Sequence, residues 1–428
     1  MGVKEMTNLI QTLNQVNWDF SDYSSQRFPL DVNSMSWYPA TFPPPIPKFL
    51  IALLTAPQNI VFDPFGGSGT TVIEAIKQNR PFLYNDLNPF VVDEVRNIVR
   101  VLRESSLRPY LLQTLKKQDE EYLSANVVKG FCKEEIYKGK SAEVIREKYP
   151  QKMLEKMKSL GVSEELILWY HIDTLNELLQ LYELASSDQD IGMLSARKYA
   201  FVSILKEVCS QRGHFTYITD NCRPANLRYY NAFSAYLSIL NRLTISVDDF
   251  LRQFVVSNGE ANLVRLIDQS TICCGDARKM SWVDNQSVDL ILTSPPYLCA
   301  QDYIKTMRLN NLFFPNEGFD KLPGQEIGSR ASRKRKNGPE VVNKFYDDMR
   351  AFCGEAERVL KKNKFFCLII GQGKAKAIEG HDTIGELSTM IIQDFGFQKI
   401  YETSRTIGYK WNRLGGVDHE KIIIFQKK

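Results

Sequence analysis

The stretch NIVFDPFGGSGTT, residues 59–71, decides the fold. It opens with a short apolar run typical of a buried β-strand, and three glycines follow where the chain turns into the amphipathic segment TVIEAIKQN, residues 71–79. A second strand, PFLYNDLNPF at residues 81–90, comes next and carries an acid near its end. Strand, helix and strand in this order predict a βαβ unit of a parallel sheet.

The same alternation returns in the second half of the chain. One amphipathic helix is predicted at residues 342–362, and it lies between the second and third of five further strands. These strands are TICCGD (271–276), VDLILTS (288–294), KFFCLIIG (364–371), FQKIYETS (397–404) and EKIIIFQ (420–426). The last two are close enough in sequence for an antiparallel hairpin. We therefore predict an α/β fold with a seven-stranded, mostly parallel, doubly wound sheet.

Between the two α/β segments the pattern changes. Residues 104–265 carry apolar residues at helical spacing and hardly a strand signal. The chain is thus predicted to consist of one half of a sheet domain (1–103), an inserted helical domain (104–265) and the other half of the sheet domain (266–428).

Composition narrows the class of protein. The 428 residues are 43% hydrophobic and 24% charged, which suits a soluble protein with a large core, and the net charge of +4 indicates no class of partner. No apolar run is long enough to cross a bilayer, so no membrane association is expected. The N-terminal residues lack the order of a signal peptide, so a cytoplasmic location is expected. The eight cysteines include no CxxC pair and no Cys/His cluster, so neither disulfides nor a metal site is expected. The sequence does not indicate an oligomeric state.

The Gly-rich turn DPFGGSGTT is a candidate ligand loop, because glycines let the backbone approach a ligand closely. It lacks the Gly-Lys-Ser/Thr of a Walker loop and the spacing of a dinucleotide fingerprint. Asp63 at the turn suits a cationic ligand, and Asp86 after the second strand suits a ribose diol, although a helix cap is the alternative for Asp86. Both acids are expected at strand ends outside the core. A ribose with a cationic group describes S-adenosylmethionine better than a dinucleotide.

The stretch TSPPY, residues 293–297, ends a buried strand on two prolines. Proline cannot donate to a sheet ladder, so Pro295 and Pro296 must lie past the strand end and form a stiff loop at the carboxyl edge of the sheet. An ordinary proline turn is the alternative. Open α/β sheets bind their ligands at that edge, so the loop is a second candidate site.

Five stretches together resemble the amino-methyltransferases that modify the exocyclic nitrogen of a base in DNA. They are WYPATFPPPIPKFLI (37–51), FDPFGGSGTT (62–71), YNDLNP (84–89), CGDA (274–277) and TSPPY (293–297). The resemblance covers roughly residues 35–100 and 265–428. It implies a Rossmann-like methyltransferase fold, S-adenosylmethionine as cofactor and duplex DNA as partner. A cognate restriction endonuclease can accompany such enzymes, and the sequence leaves that partner open. The helical segment stands before CGDA, which departs from the commonest arrangement of such enzymes.

The resemblance assigns the cofactor residues. Tyr38, Pro39 and Phe42 would line the pocket of the methionine part. The loop beneath that part would be formed by Asp63, Phe65, Gly67 and Gly69. Asp86 would hold the ribose hydroxyls and Asp276 would lie near the adenine, although an ordinary turn residue is the alternative for Asp276.

The resemblance also assigns a catalytic loop, formed by Ser294, Pro295, Pro296 and Tyr297. An exocyclic amine is a poor nucleophile because its lone pair is delocalised into the ring. The Ser294 side chain and the Pro295 carbonyl would each accept one N–H bond and so direct the lone pair to the methyl group, while Tyr297 would offer its ring to a flipped base. Serine at the first position goes mostly with N4 of cytosine in that family, and acidic or amide residues with N6 of adenine. Cytosine C5 chemistry needs a Pro-Cys pair, which the chain lacks.

A basic loop, GSRASRKRKNGP at 328–339, is the candidate phosphate contact, and a solvated surface loop is the alternative. Its charged residues are Arg330, Arg333, Lys334, Arg335 and Lys336. Arginines and tyrosines of residues 211–233 offer a second candidate DNA face or an ordinary helix interface.

Two kinds of rival function remain. The first is methylation of a different substrate, either an RNA amine or a glutamine amide in a protein, and the second is a regulatory protein on the same fold.

Overall fold

The computed structural model describes residues 3–20, 38, 43–126, 142–211, 223–224, 226–259, 262–299, 302–329, 338–372, 380, 382–406 and 419–428. As far as the third strand, the elements are α1 (Val3–Gln15), α2 (Pro45–Leu54), β1 (Val61–Asp63), α3 (Thr70–Lys77), β2 (Phe82–Asp86), α4 (Pro89–Leu107), α5 (Leu111–Ala125), α6 (Ala142–Arg146), α7 (Gln151–Ser159), α8 (Ile172–Ser187), α9 (Ile191–Leu205), α10 (Ala232–Asn258), α11 (Leu263–Asp268) and β3 (Thr271–Cys274). The remaining elements are β4 (Val288–Thr293), α12 (Arg308–Phe313), α13 (Gly338–Val359), β5 (Leu360–Gly371), α14 (Thr383–Phe395), β6 (Gln398–Thr406) and β7 (His419–Gln426). Short 3₁₀ helices cover Glu164–Leu168, Ile304–Met307 and Phe319–Gly324.

The seven strands form one sheet in the order β3-β2-β1-β4-β5-β7-β6. The pairs from β3 to β5 are parallel, and β7 is antiparallel to both of its neighbours. This confirms the predicted mostly parallel seven-stranded sheet and its terminal antiparallel pair. Val61 pairs with Phe82 on one side and with Leu290 on the other, so the two distant α/β segments share one continuous sheet.

Alternate residues of the central strands point to opposite faces, as the period of a strand requires. In β5, Phe365 and Cys367 belong to one hydrophobic cluster, whereas Phe366 and Leu368 belong to a second. The first cluster includes residues of α1–α4 and of the middle helices, and the second includes residues of α13 and α14. The sheet is therefore covered on both faces, which confirms the doubly wound architecture.

The helices between β2 and β3 share the core of the sheet. α9 packs against α4, and buried residues of α8, α9 and α10 belong to the same hydrophobic cluster as the strands. A buried ion pair joins this bundle, because Arg197 Nη2 lies 2.6 Å from Asp119 Oδ1 and Tyr236 donates to Asp119 Oδ2 at 2.8 Å. α4 and α11 run across positions 103 and 265, and the division into domains at those positions stays a prediction.

In the part of the chain that the structure describes, no helix is both long enough and apolar enough to cross a bilayer.

The strand order positions the functional site. From β1 the chain continues to β2 on one side, while the later strand β4 pairs on the other side, so the sheet has a switch point between β1 and β4. Ligands of open α/β sheets bind in the crevice outside the carboxyl ends of strands at such a point. Asp63 ends β1 and Thr293 ends β4, so both predicted loops leave the sheet at this crevice.

Candidate active site

Asp63 joins the carboxyl ends of β1 and β4. Its Oδ1 accepts hydrogen bonds from Thr293 Oγ1 at 2.6 Å and from the Phe65 backbone N–H at 3.2 Å, and its Oδ2 accepts one from Thr71 Oγ1 at 2.6 Å. Only 1% of the Asp63 surface is exposed, so the expectation that this acid lies outside the core is wrong. Burial raises its pKa to about 6, although all three hydrogen bonds favour the ionised form.

Glycine is required at position 69 of the Gly-rich loop by the backbone angle and by packing against α4, and not by the cleft. Gly69 has a φ of +80° and precedes the first residue of α3. A Cβ atom at Gly69 would meet a methyl group of Val95 at 2.8 Å, so both the backbone angle and the close packing require glycine there. Neither Asp63 nor Gly69 is among the residues that line the cleft. Their direct contact with a cofactor stays a prediction.

Asp86 connects the end of β2 to the Gly-rich loop. Its Oδ2 accepts the Gly67 N–H at 2.9 Å and its Oδ1 accepts the Asn88 N–H at 2.8 Å. Burial raises the pKa of Asp86 to about 6, and the backbone hydrogen bonds from Asn88 and Gly67 oppose that rise. The alternative for Asp86 is a helix cap, but the residue that caps α4 is Asn88. The Asn88 side chain accepts a hydrogen bond from the Phe90 N–H at the start of α4.

A cleft opens along the carboxyl edge of the sheet, and its empty space, including the part open to solvent, is about 850 Å³. Its described lining residues are Tyr38, Pro64, Phe65, Gly66, Gly67, Ser68, Thr70, Asn85, Asp86, Leu87, Asn88, Gly275, Asp276, Ala277, Ser294, Pro296, Tyr303, Ile304, Gln325, Glu326 and Ile327. The cleft thus brings the Gly-rich loop, the ends of β2 and β3 and the catalytic loop together. Its described lining includes three acids and neither lysine nor arginine, which suits a cationic ligand and not a phosphate.

Asp276 follows β3 and lines the cleft. Burial alone would raise its pKa, but hydrogen bonds and charge from Arg278 outweigh burial and lower it. Arg278 Nη2 lies 2.7 Å from Asp276 Oδ2, and the Arg278 backbone N–H donates to Asp276 Oδ1 at 2.9 Å. Asp276 is therefore part of a turn after β3, which is its alternative interpretation, and it also lies at the wall of the cleft.

The predicted catalytic loop presents Ser294 and Pro296 to the cleft, whereas Pro295 and Tyr297 do not line it. The Tyr297 hydroxyl donates to Glu420 Oε1 at 2.7 Å, and Ser294 Oγ lies 3.2 Å from the Tyr297 oxygen. Tyrosine has one hydroxyl proton, and it is used on Glu420. The Ser294 hydroxyl must then donate to Tyr297, which leaves the lone pairs of Ser294 Oγ available as acceptors.

The ring of Tyr297 lies behind the loop. Only 7% of the Tyr297 surface is exposed, and its ring belongs to the second hydrophobic cluster. Glu420 on β7 is in turn paired with Arg405 on β6, where the Nε to Oε2 distance is 3.3 Å. The described contacts of Tyr297 therefore hold Ser294 in place, and stacking of its ring on a base stays a prediction.

A second wall of the cleft comes from residues that the sequence motifs did not identify. It is formed by Tyr303, Ile304, Gln325, Glu326 and Ile327. The Tyr303 ring stacks on Tyr38 with centroids 6.2 Å apart and planes at 27°. The Ile304 N–H donates to Glu326 Oε1 at 2.6 Å. These residues show no strand or helix periodicity, and the Pro323-Gly324 signal before Gln325 predicts a turn and not a ligand site, so no local pattern marks them as functional.

Some predicted residues lie outside the described part of the chain. They are Pro39, Phe42, Arg330, Arg333, Lys334, Arg335 and Lys336. Of the arginine- and tyrosine-rich segment, the described Tyr229 donates its hydroxyl to Glu177 at 2.8 Å, and the Tyr230 N–H donates to Thr174 Oγ1 at 2.9 Å. These described contacts are those of a helix interface, and a DNA face there stays a prediction.

Comparison with known proteins gives a family. A family model described as DNA methylase, of the N6/N4 type, matches residues 6–97 and 288–428, more than half of the chain. The type II methyltransferase M.PvuII of Proteus hauseri is 40% identical over 52 residues, which are 12% of this chain and 16% of that protein. The type II methyltransferase M.MjaI of Methanocaldococcus jannaschii is 28% identical over 124 residues, 29% of this chain and 39% of that protein. The chain thus spans less than half the length of either relative.

Proposed function

This chain belongs to the DNA methylase family of the N6/N4 type, and from that premise we propose that it transfers a methyl group from S-adenosylmethionine to the exocyclic N4 of cytosine in duplex DNA. One observation carries the proposal. The Gly-rich loop, Asp86 and Ser294 line the same cleft at the switch point of the sheet, so a cofactor and a polarising acceptor can meet there.

The cleft fits the proposed cofactor. S-adenosylmethionine carries a ribose and two cationic groups, and the three acids of the lining, Asp86, Asp276 and Glu326, complement that charge. Asp86 would hold the ribose hydroxyls and Asp276 the adenine end, while Tyr38 would lie against the methionine part. The cofactor supplies, when bound, a methyl group attached to a cationic sulphur.

The catalytic loop would prepare the amine. Ser294 Oγ accepts one N–H of the exocyclic amine, since its own proton is used on Tyr297. The Pro295 carbonyl accepts the other N–H. Two fixed acceptors localise the lone pair on the nitrogen, and the stiff proline pair keeps them from relaxing, so the site acts by electrostatic preorganisation.

Cytosine N4 is the finer part of the proposal. Its support is the serine at position 294, because in the family that the chain resembles serine at this position goes mostly with N4 of cytosine. The basic loop at 328–339 would hold DNA phosphates, which orient the protein on the duplex without reading its sequence. A cytoplasmic location and a cognate restriction endonuclease acting on the same site belong to the same proposal, since both relatives are named type II methyltransferases.

Methyl transfer from labelled S-adenosylmethionine tests the proposal. The protein is incubated with duplex DNA, with RNA and with a protein extract, and the modified base is identified by mass spectrometry of digested DNA. We expect label in duplex DNA as N4-methylcytosine. N6-methyladenine would contradict the base assignment alone, whereas label confined to RNA or to protein would contradict the DNA substrate.

A further inference from the structure

Glu326 is an acid of the cleft wall with an unfilled hydrogen-bonding position. It follows the 3₁₀ helix Phe319–Gly324, and 8% of its surface is exposed. Its Oε1 accepts the Ile304 N–H at 2.6 Å, while its buried Oε2 has no hydrogen-bond partner. A buried acceptor of this kind is costly in free energy unless a donor fills it, so its place in the cleft lining points to a ligand.

The other two described acids of the lining differ from Glu326 in this respect. Asp86 receives a backbone N–H on each oxygen, from Gly67 and from Asn88. Asp276 is bonded to Arg278 through both oxygens. Asp63, which the Gly-rich motif suggested for a cation, is filled by Thr71, Thr293 and a backbone N–H. Each oxygen of Asp86 and of Asp276 therefore has a donor already, whereas Glu326 is the acid of the described lining with one oxygen wholly unfilled.

We propose that Glu326 binds the α-ammonium group of the methionine part of S-adenosylmethionine. This inference rests on the proposed function. The cofactor has two cationic groups, a sulfonium and an ammonium. An ammonium carries three N–H donors and can fill the free Oε2, whereas a sulfonium has no N–H to donate. The unfilled acceptor therefore selects the ammonium.

The position of Glu326 in the cleft agrees with this choice. Tyr38, which the resemblance places beside the methionine part, stacks on Tyr303. Ile304 follows Tyr303 directly and donates its N–H to Glu326. The side chain of Tyr38 also lies 3.1 Å from the position of a Cβ atom on Gly67, so these residues and the Gly-rich loop border the same end of the cleft.

The buried Glu326 carboxyl would be stabilised in its ionised form by an added cation. Burial raises its pKa to about 7, the Ile304 N–H lowers it, Asp302 raises it, and Lys305 and the Ser329 hydroxyl lower it. The single proton of the Ser329 hydroxyl is donated to Asp302 Oδ1 at 2.8 Å and so does not fill Glu326 Oε2, while Lys305 Nζ lies 3.4 Å from Asp302 Oδ2. An ammonium at Oε2 would favour the ionised carboxylate, so cofactor binding near neutral pH should release protons from Glu326.

Calorimetric titration with three ligands tests the assignment. The ligands are S-adenosylmethionine, S-adenosylhomocysteine, which keeps the ammonium and lacks the sulfonium, and methylthioadenosine, which lacks both. In Glu326→Gln an amide replaces the carboxylate with nearly the same shape and can still accept the Ile304 N–H. We expect this variant to bind the first two ligands at least about tenfold more weakly, because a charge-assisted hydrogen bond is lost, and to bind methylthioadenosine unchanged.

A matched control and a second variant complete the experiment. Asp320→Asn removes one negative charge from an exposed position of the preceding 3₁₀ helix and should leave all three affinities unchanged. Glu326→Asp keeps the charge on a shorter side chain, so it should show the same ligand pattern with a smaller loss.

Proton release can be measured on the wild type without any variant. Calorimetric titration in buffers of different ionisation heat should show proton release for the two ligands with an ammonium.

The outcomes separate the two proposals. Unchanged affinity of Glu326→Gln for S-adenosylmethionine, while the wild type binds it, overturns the role of Glu326 and leaves the proposed function standing. Weaker binding of S-adenosylmethionine alone points to the sulfonium and overturns the ammonium assignment. Equal losses for all three ligands indicate a damaged cleft and also overturn it. A wild type that binds none of the three ligands refutes the cofactor of the proposed function itself.

Discussion

The Gly-rich loop and the predicted catalytic loop border the same cleft, but a key polar side chain of each is used differently. Asp63 of the first loop bonds to groups in the core, and Ser294 of the second faces the cleft. Asp63 turns its carboxylate inward, to Thr71 and Thr293, and so holds the loop together. Ser294 is held from behind by Tyr297 and keeps its acceptor capacity for the cleft. The two loops follow the neighbouring strands β1 and β4, but these two side chains have different roles: substitution of Asp63 should change stability, and substitution of Ser294 should change rate.

Ser294→Ala should show the largest effect, and it should be an effect on rate. Removal of one preorganised acceptor typically lowers turnover by about 10² to 10³, because the hydrogen bond strengthens as charge develops on the nitrogen. The free energy of unfolding and the affinity for S-adenosylmethionine should change little. Single-turnover methylation of duplex DNA and urea unfolding measure the two quantities.

Ser159→Ala is the matched control, since this serine is exposed at the end of α7 and does not line the cleft. Full activity of Ser294→Ala would show that the Pro295 carbonyl is the one acceptor needed, and it would remove the contrast between the two loops.

Asp63→Ala should lower the free energy of unfolding by on the order of 3 kcal/mol. It leaves the Thr71 and Thr293 hydroxyls and a backbone N–H without their acceptor in the core, and unpaired buried groups are costly. Asp93→Ala, at a side chain that is 64% exposed, is the control and should change stability by less than about 0.5 kcal/mol. A stable Asp63→Ala protein that no longer binds the cofactor would instead make Asp63 a ligand.

Tyr297→Phe should reduce turnover about tenfold, a smaller effect than that of Ser294→Ala. The ring remains, but Ser294 loses the oxygen to which its hydroxyl donates and Glu420 loses a donor. The serine hydroxyl is then free to rotate and acts less often as an acceptor. Tyr122→Phe, at a residue that is 38% exposed, controls for the loss of a hydroxyl. Wild-type turnover of Tyr297→Phe would favour stacking on the base as the whole role of the ring.

The smallest effect concerns pH and the Asp63 carboxylate. Its folded-state pKa is raised from 3.8 to about 6, so its contribution to stability is present below pH 3.8 and is lost as pH rises through about 6. Asp63→Asn does not ionise. Between about pH 5 and about pH 8 the unliganded wild type should therefore lose about 1 kcal/mol of unfolding free energy relative to this variant.

Urea unfolding of both proteins across that range gives the difference. A wild type that gains stability over Asp63→Asn with rising pH would show that the hydrogen bonds outweigh burial at this carboxylate.

The sequence by itself determined the sheet and the place of the site. Alternating apolar runs and amphipathic segments predicted all seven strands, because backbone periodicity and burial are written locally in the residues. The carboxyl ends of parallel strands meet at one edge, so the acids and prolines that end β1, β2 and β4 could be assigned to one region from order alone. Asp86 and Ser294 both line the cleft, and their roles in binding and catalysis stay predictions.

Only the tertiary structure decided which oxygen faces which donor. Asp63 turns into the core because Thr293, 230 residues away in sequence, supplies a hydroxyl there. Glu326 and Tyr303 reach the cleft on a segment without strand periodicity, and β7 lies between β5 and β6 although it follows both in sequence. Local patterns report the conformation and burial of a residue, whereas hydrogen-bond partners depend on how distant segments pack, and no local pattern carries that information.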